Sequence, residues 1–124
     1  MVLRDLHVIT ANAVIVVNGL VGVWGLALVV AKRAPKRAFN VAKYVGLGVA
    51  GLQVAFGLML YGRGVNPGSI HMFYGMMIIF TLAFVYIYRA QFEKRPAFAW
   101  GWLALFVMGL GIRGWMNFGE NFRG

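Results

Sequence analysis

The chain contains no cysteine, which excludes disulfides, thiolate metal sites, iron–sulfur clusters and cysteine nucleophiles. Carboxylates are almost as scarce, because Asp5, Glu93 and Glu120 are the three acidic residues among 124. None of them lies inside a long apolar run, which argues against a buried proton relay and against any mechanism that needs paired carboxylates. Charged residues make up 12% of the chain, against roughly 25% in an average globular protein.

Hydrophobic residues make up 61% of the chain, more than a soluble fold of this length can bury. Four stretches approach or exceed the roughly 20 helical residues needed to cross a bilayer, and they leave no room for a soluble domain. The sequence therefore predicts an all-α fold, a single integral membrane domain over 1–124 that forms an up-down-up-down four-helix transmembrane bundle. The predicted spans are 7–31, 44–62, 70–88 and 97–116.

The basic residues predict how the bundle is oriented. Eight fall on one side, namely Lys32, Arg33, Lys36, Arg37, Lys43, Arg89, Lys94 and Arg95. Four fall on the other side, namely Arg4, Arg63, Arg113 and Arg123. By the positive-inside rule, loops 32–43 and 89–96 face the cytoplasm, and both termini face the outer side of the cell inner (plasma) membrane. Anionic headgroups of the lipid bilayer account for the net charge of +9, so no nucleic-acid partner is expected.

The chain has two histidines, and their settings match. His7 and His71 lie near the predicted starts of the first and third helices, and a small residue, Ala11 or Gly75, follows four positions later. In the predicted bundle these two helices face each other diagonally, roughly 11–14 Å apart. That gap suits a flat macrocycle held by an imidazole from each side, and the small residues would leave room for its plane.

The sequence thus predicts one bis-histidine b-type heme near the outer surface, with His7 and His71 as the metal ligands. Arg63 and Arg113 are predicted on the same side, where their guanidinium groups would meet the heme propionates. A methionine ligand opposite one histidine is also chemically possible, because three methionines lie near His71 in the sequence: Met72, Met76 and Met77.

The pairs His7 with Ala11 and His71 with Gly75 resemble the pattern of small membrane b-type cytochromes and of the half-bundles of heme A synthase-like proteins. Those families hold heme between histidines of a four-helix bundle, so the resemblance implies heme binding here too. It covers the starts of two helices. The chain departs from the larger diheme members because it has a single histidine pair, so at most one bis-histidine heme could form.

The two histidines are also compatible with two roles that involve no heme. If Asp5 and Ser69 cap their helices, each histidine lies in a first turn at headgroup level, where it needs no ligand role. Alternatively, a small metal ion at the outer surface could use His7, His71, Asp5 and Glu120.

Polar residues within the predicted spans are expected to bond across the bundle, because lipid offers no hydrogen-bond partners. This applies to Asn12, Asn18 and Gln53, whereas Thr81 is expected to bond to its own helix backbone. One amide at each level is too sparse for a selective pore.

The sequence contains no nucleophile–base pair, carboxylate pair or phosphate-binding loop, so an independent enzyme is not expected. A membrane protein with such short loops has little surface outside the bilayer and is expected to act by lateral packing. The leading hypothesis is a small accessory subunit of a larger membrane electron-transfer complex, respiratory or photosynthetic, with the heme as its candidate cofactor. The alternatives are a cofactor-free packing or assembly protein and, ranked lowest, a small channel or transporter.

Overall fold

The computed structural model describes residues 2–116, and nearly all of them are helical. The long helices are α1 (Val2–Ala31), α2 (Arg37–Gly62), α3 (Ser69–Ile87) and α5 (Pro96–Met116), with a short helix α4 (Arg89–Phe92) before the last of them. All four long helices are long and apolar enough to cross a membrane. The predicted all-α class with four candidate spans is confirmed, and the described residues include no β-strand.

Two helices begin earlier than the sequence pattern predicts. α1 begins at Val2 and not near residue 7, and α2 begins at Arg37 and not near residue 44. The added first turns of α2 are stabilised by packing, because Phe39 is fully buried and Lys43 is 4% exposed. Hydropathy alone could not detect these turns, since their sequence is rich in basic residues.

The predicted capping roles of Asp5 and Ser69 are wrong. Asp5 lies inside the first turn of α1, and Ser69 is the first helical residue of α3. The N-cap of α3 is Gly68, whose φ of +100° lies in a region that side chains disfavour and glycine tolerates. No side chain caps this helix. His7 therefore lies in the second turn of its helix, deeper than the sequence pattern suggested.

The helices pack around one shared interior. α1 packs mainly against α5 and α2, while α3 packs against α5 and α2. Within residues 2–116, α1 and α3 make no direct backbone contact, which places them diagonally across the bundle.

The closest backbone approach is between α1 and α5. A β-carbon added to Gly25 would lie 2.8 Å from the α-carbon of Gly101 and 2.8 Å from the carbonyl oxygen of Ala97. Glycine at this crossing lets the two backbones touch, which maximises van der Waals contact where lipid gives no hydrophobic drive for association. The glycine-rich sequence of α1 therefore serves packing at this level of the bundle.

Two buried clusters fill most of the interior. One lies towards the histidine end and contains Val14, Ala50, Ile78, Val107 and Leu110. The other lies towards the opposite end and contains Val21, Phe39, Val85, Trp100 and Ala104.

The polar side chains within the spans follow the predictions with one exception. The Asn18 amide nitrogen donates to the carbonyl oxygen of Gly46 on α2 at 3.1 Å, and the Thr81 hydroxyl donates to its own helix. Asn12 was expected to bond across the bundle, and this is wrong. Its side chain is exposed and donates to the carbonyl oxygen of Val8 on its own helix, because this face of α1 points out of the bundle.

Candidate functional site

The two histidine side chains meet inside the bundle. The ring centroids of His7 and His71 are 6.2 Å apart, and the ring planes are inclined by 72°. His7 is 7% exposed and His71 is half-buried. Although the backbones of α1 and α3 do not touch, their histidine side chains meet in the interior, so the structure brings together the pair that the sequence singled out.

A backbone carbonyl holds each ring by the same nitrogen. Nδ1 of His7 lies 3.1 Å from the carbonyl oxygen of Gln53, and Nδ1 of His71 lies 2.7 Å from the carbonyl oxygen of Gly114. A carbonyl only accepts hydrogen bonds, so the proton of each neutral ring is on Nδ1 and the lone pair is on Nε2. Metal-binding histidines usually show this arrangement, in which the second ring nitrogen is anchored to a carbonyl or a carboxylate.

A cavity of about 100 Å³ lies beside the two rings. All four long helices and the connection between α2 and α3 contribute to its wall, which is mostly apolar apart from His7, His71 and Gln53. The other lining residues include Ala11, Val14, Gly57, Val65, Met72, Gly75, Met76, Ile79, Gly111, Gly114 and Trp115.

The two small residues of the predicted site, Ala11 and Gly75, both line this cavity. A β-carbon added to Gly75 would meet no atom within 4 Å, so the space beside it is open. Gly57 of α2 has the opposite role, because a β-carbon there would lie 3.0 Å from Cε1 of His7. Glycine at position 57 therefore lets the His7 ring lie against α2, and glycine at position 75 leaves room next to His71.

The two arginines assigned to the site lie outside the cavity wall. The Arg113 guanidinium Nε donates to the Tyr74 hydroxyl at 3.4 Å, and Tyr74 lines the cavity. Arg113 thus contacts a lining residue of the cavity and does not line the cavity itself. Arg63 is the exposed C-cap residue of α2, and its backbone N–H bonds to carbonyls in the last turn of that helix.

The small-ion alternative is not supported by the described part of the chain. Within residues 2–116, no three side chains of His, Cys, Asp or Glu come together. Asp5 is exposed, and Glu120 lies outside the described residues.

The residues that hold His7 in place were not predicted from the sequence. Gln53 was expected to bond across helices, but no contact with a histidine was foreseen; its backbone and its side chain both contact His7. The signal was present in the spacing, because Gln53 and Gly57 lie four residues apart and share one face of α2. Their common partner on α1 could not be identified from spacing alone.

A second polar cluster lies on the other side of the fold, far along the helices from the histidines. The ammonium of the buried Lys43 lies 3.1 Å from a Glu93 carboxylate oxygen and 4.2 Å from the centroid of the Trp100 ring. The indole N–H of Trp100 donates to the same carboxylate. Lys43 was assigned to the loop 32–43, and this assignment is wrong because the residue lies in α2 and its side chain is buried. Trp100 is buried beside it in α5.

The charge state of Glu93 follows from these contacts. Partial burial acts to raise the pKa of the carboxyl, but the hydrogen bonds from Trp100 and Lys43 and the positive charge of Lys43 outweigh it. The pKa of Glu93 is therefore lowered from its ordinary value. The carboxylate stays ionised near neutral pH and anchors the start of α5 to α2.

No protein-family model matches the chain, and no curated protein or solved structure matches it either.

Proposed function

We propose that the chain binds one b-type heme between His7 and His71 and serves as a small subunit of a larger membrane electron-transfer complex. The observation that carries the proposal is the pair of histidines 6.2 Å apart, each anchored through Nδ1. Each imidazole would bind the heme iron through Nε2, the ring nitrogen that does not face the backbone carbonyl.

The apolar cavity wall and the number of protein ligands favour heme over a small ion in this proposal. The cavity wall is mostly aliphatic, aromatic and glycine, and the space beside Gly75 is open. A small divalent ion normally needs a third or fourth protein ligand, whereas a porphyrin supplies four nitrogens itself and needs two axial ligands. Two histidines in an apolar cavity therefore match the ligand demand of heme.

The two arginines are the candidates to bind the heme propionates. Arg113 donates to Tyr74, a residue of the cavity wall, so its guanidinium group is the candidate to bind a propionate. Arg63 follows α2 close to the lining residues Leu60 and Val65. When bound, a bis-histidine heme supplies one-electron transfer. In this proposal the protein orients the two imidazole rings, excludes water from the cavity and provides cations for the heme propionates.

The outer surface supports the assignment to a membrane. Large apolar side chains are exposed on all four long helices, as expected for surfaces that meet lipid or other membrane helices. We propose the plasma membrane as the location, with the basic segments around 32–43 and 89–96 on the cytoplasmic side. A heme-stained native gel of solubilised membranes tests the complex, because the subunit should migrate with a particle much larger than its own 13.7 kDa. Migration of the chain by itself would contradict this part of the proposal.

The heme is tested by the reduced-minus-oxidised visible spectrum of the protein purified in mild detergent after expression with ample heme. We expect the sharp α-band of a low-spin b-type heme. His7→Ala and His71→Ala should each abolish it, because each variant removes one of two axial ligands. Imidazole added to either variant should restore part of the band by occupying the vacated space, which a merely structural role of the histidine would not allow.

A featureless wild-type spectrum would contradict heme binding. The chain would then be a cofactor-free packing or assembly protein, and the carbonyl contacts of the two rings would be its means of joining α1 to α2 and α3 to α5.

A further inference from the structure

Gln53 contacts both ring nitrogens of His7. Its backbone carbonyl oxygen lies 3.1 Å from Nδ1, and its side-chain amide nitrogen lies 3.4 Å from Nε2. Because the carbonyl only accepts, Nδ1 carries the proton, and Nε2 is left as an acceptor for the amide N–H. The amide therefore covers the lone pair that a metal would need.

Thr10 fixes the orientation of this amide. Its hydroxyl contacts the side-chain oxygen of Gln53, which directs the amide nitrogen towards His7. The same hydroxyl lies 2.9 Å from the carbonyl oxygen of Leu6 on its own helix. Thr10 therefore has a second acceptor available if Gln53 turns away, and the hydroxyl would not be left unpaired.

We propose that the Gln53 side chain is a displaceable cap on His7, which an incoming heme must turn aside before Nε2 can bind the metal. The inference rests on the proposed function and adds a means of control to it. The contact of 3.4 Å is long for a hydrogen bond, so the cap is weak enough to be displaced. The backbone carbonyl stays in place during this exchange, so the ring keeps its orientation and its tautomer. The cap lowers heme affinity and protects the empty site from stray metal ions.

The variant Gln53→Leu separates the two contacts, because it removes the amide and keeps the backbone carbonyl. We expect it to bind heme about two- to tenfold more tightly than the wild type, since one net hydrogen bond no longer competes with the metal. Hemin titration of the heme-free protein in detergent measures the ratio. Asn12→Leu is the matched control, because Asn12 is an exposed amide that donates to its own helix. The heme affinity of this variant should equal that of the wild type.

A second readout needs no heme. In the ¹⁵N spectrum of histidine-labelled heme-free protein, Gln53→Leu should shift the His7 Nε2 signal towards a non-bonded nitrogen, and the Nδ1–H tautomer should persist. Zn²⁺ titrated onto the same samples should bind the variant more tightly by a similar factor, because zinc needs the same lone pair.

The outcomes separate the two proposals. If the wild type binds no heme, the proposed function fails, while the Nε2 shift and the zinc ratio still decide whether the cap exists. If heme binds but Gln53→Leu leaves both affinities unchanged or weaker, the cap is overturned and the proposed function stands.

Discussion

The two ends of the bundle use buried polar groups in different ways. At one end, Lys43, Glu93 and Trp100 satisfy each other through an ion pair, a hydrogen bond and a ring contact, and aromatic side chains fill the space around them. At the other end, His7 and His71 are anchored through Nδ1 to backbone carbonyls and border a cavity of about 100 Å³.

The difference supports the proposal that one end serves stability and the other serves binding. Native interiors are close-packed, and an open space costs free energy that tighter packing would recover. A polar cluster whose members all have partners inside the protein needs nothing further, as at the Trp100 end. The histidine end keeps an open apolar space beside two imidazole rings, and this space supports the proposal that a ligand binds there.

Trp100→Ala should produce the largest loss of stability. The side chain is 2% exposed, and its ring contacts Lys43 and packs against Phe92. Removing a buried tryptophan leaves a cavity that costs about 3–5 kcal/mol, and the carboxylate of Glu93 also loses a donor. Unfolding by denaturant in mild detergent would measure the change.

Trp102→Ala is the control for this variant, because Trp102 lies on the same helix and is 52% exposed. It should change the free energy of unfolding by much less. Heme content per folded Trp100→Ala protein should equal that of the wild type. If heme were lost from the folded fraction as well, the two ends would be coupled and the division of roles would be wrong.

Gly75→Leu should weaken heme binding and leave the stability of the fold intact. An added β-carbon meets no atom within 4 Å, and leucine favours helix over glycine by up to about 1 kcal/mol, so the fold should be retained or slightly stabilised. The larger side chain would project into the open space next to His71. Heme affinity should therefore fall by more than about tenfold, the equivalent of roughly 1.4 kcal/mol, as measured by hemin titration.

Gly48→Leu is the matched control, because its added β-carbon also meets nothing and the position does not line the cavity. It should bind heme as the wild type does. Equal heme affinity in Gly75→Leu and Gly48→Leu would show that the ligand does not use this cavity.

The fold class was predictable from the sequence because helix length and apolarity are local properties. The histidine pair was predictable for a similar reason, since two helices that run in the same direction begin at the same end of the bundle and each histidine lies near the start of its helix. Gln53 was not connected to His7 because that contact depends on the rotation of α2 about its own axis, which only packing determines. Lys43 was misplaced because its charge suggested a loop, whereas Glu93 and Trp100, 50 and 57 positions later, allow it to be buried.

The smallest effect is expected at Glu93, whose carboxylate is half-exposed. Glu93→Gln removes the charge and should lower the free energy of unfolding at neutral pH by less than about 1 kcal/mol, because water screens a pair of this kind.

The folded-state pKa of Glu93 is depressed. The contribution of Glu93 to the free energy of unfolding is therefore complete above the unfolded pKa of 4.5 and is lost as the pH falls through the lower folded pKa. Wild-type stability should therefore decline below about pH 4.5 more steeply than that of Glu93→Gln. A slope that Glu93→Gln leaves unchanged would mean that the ion pair with Lys43 does not stabilise this end, and that aromatic packing around Trp100 alone holds it closed.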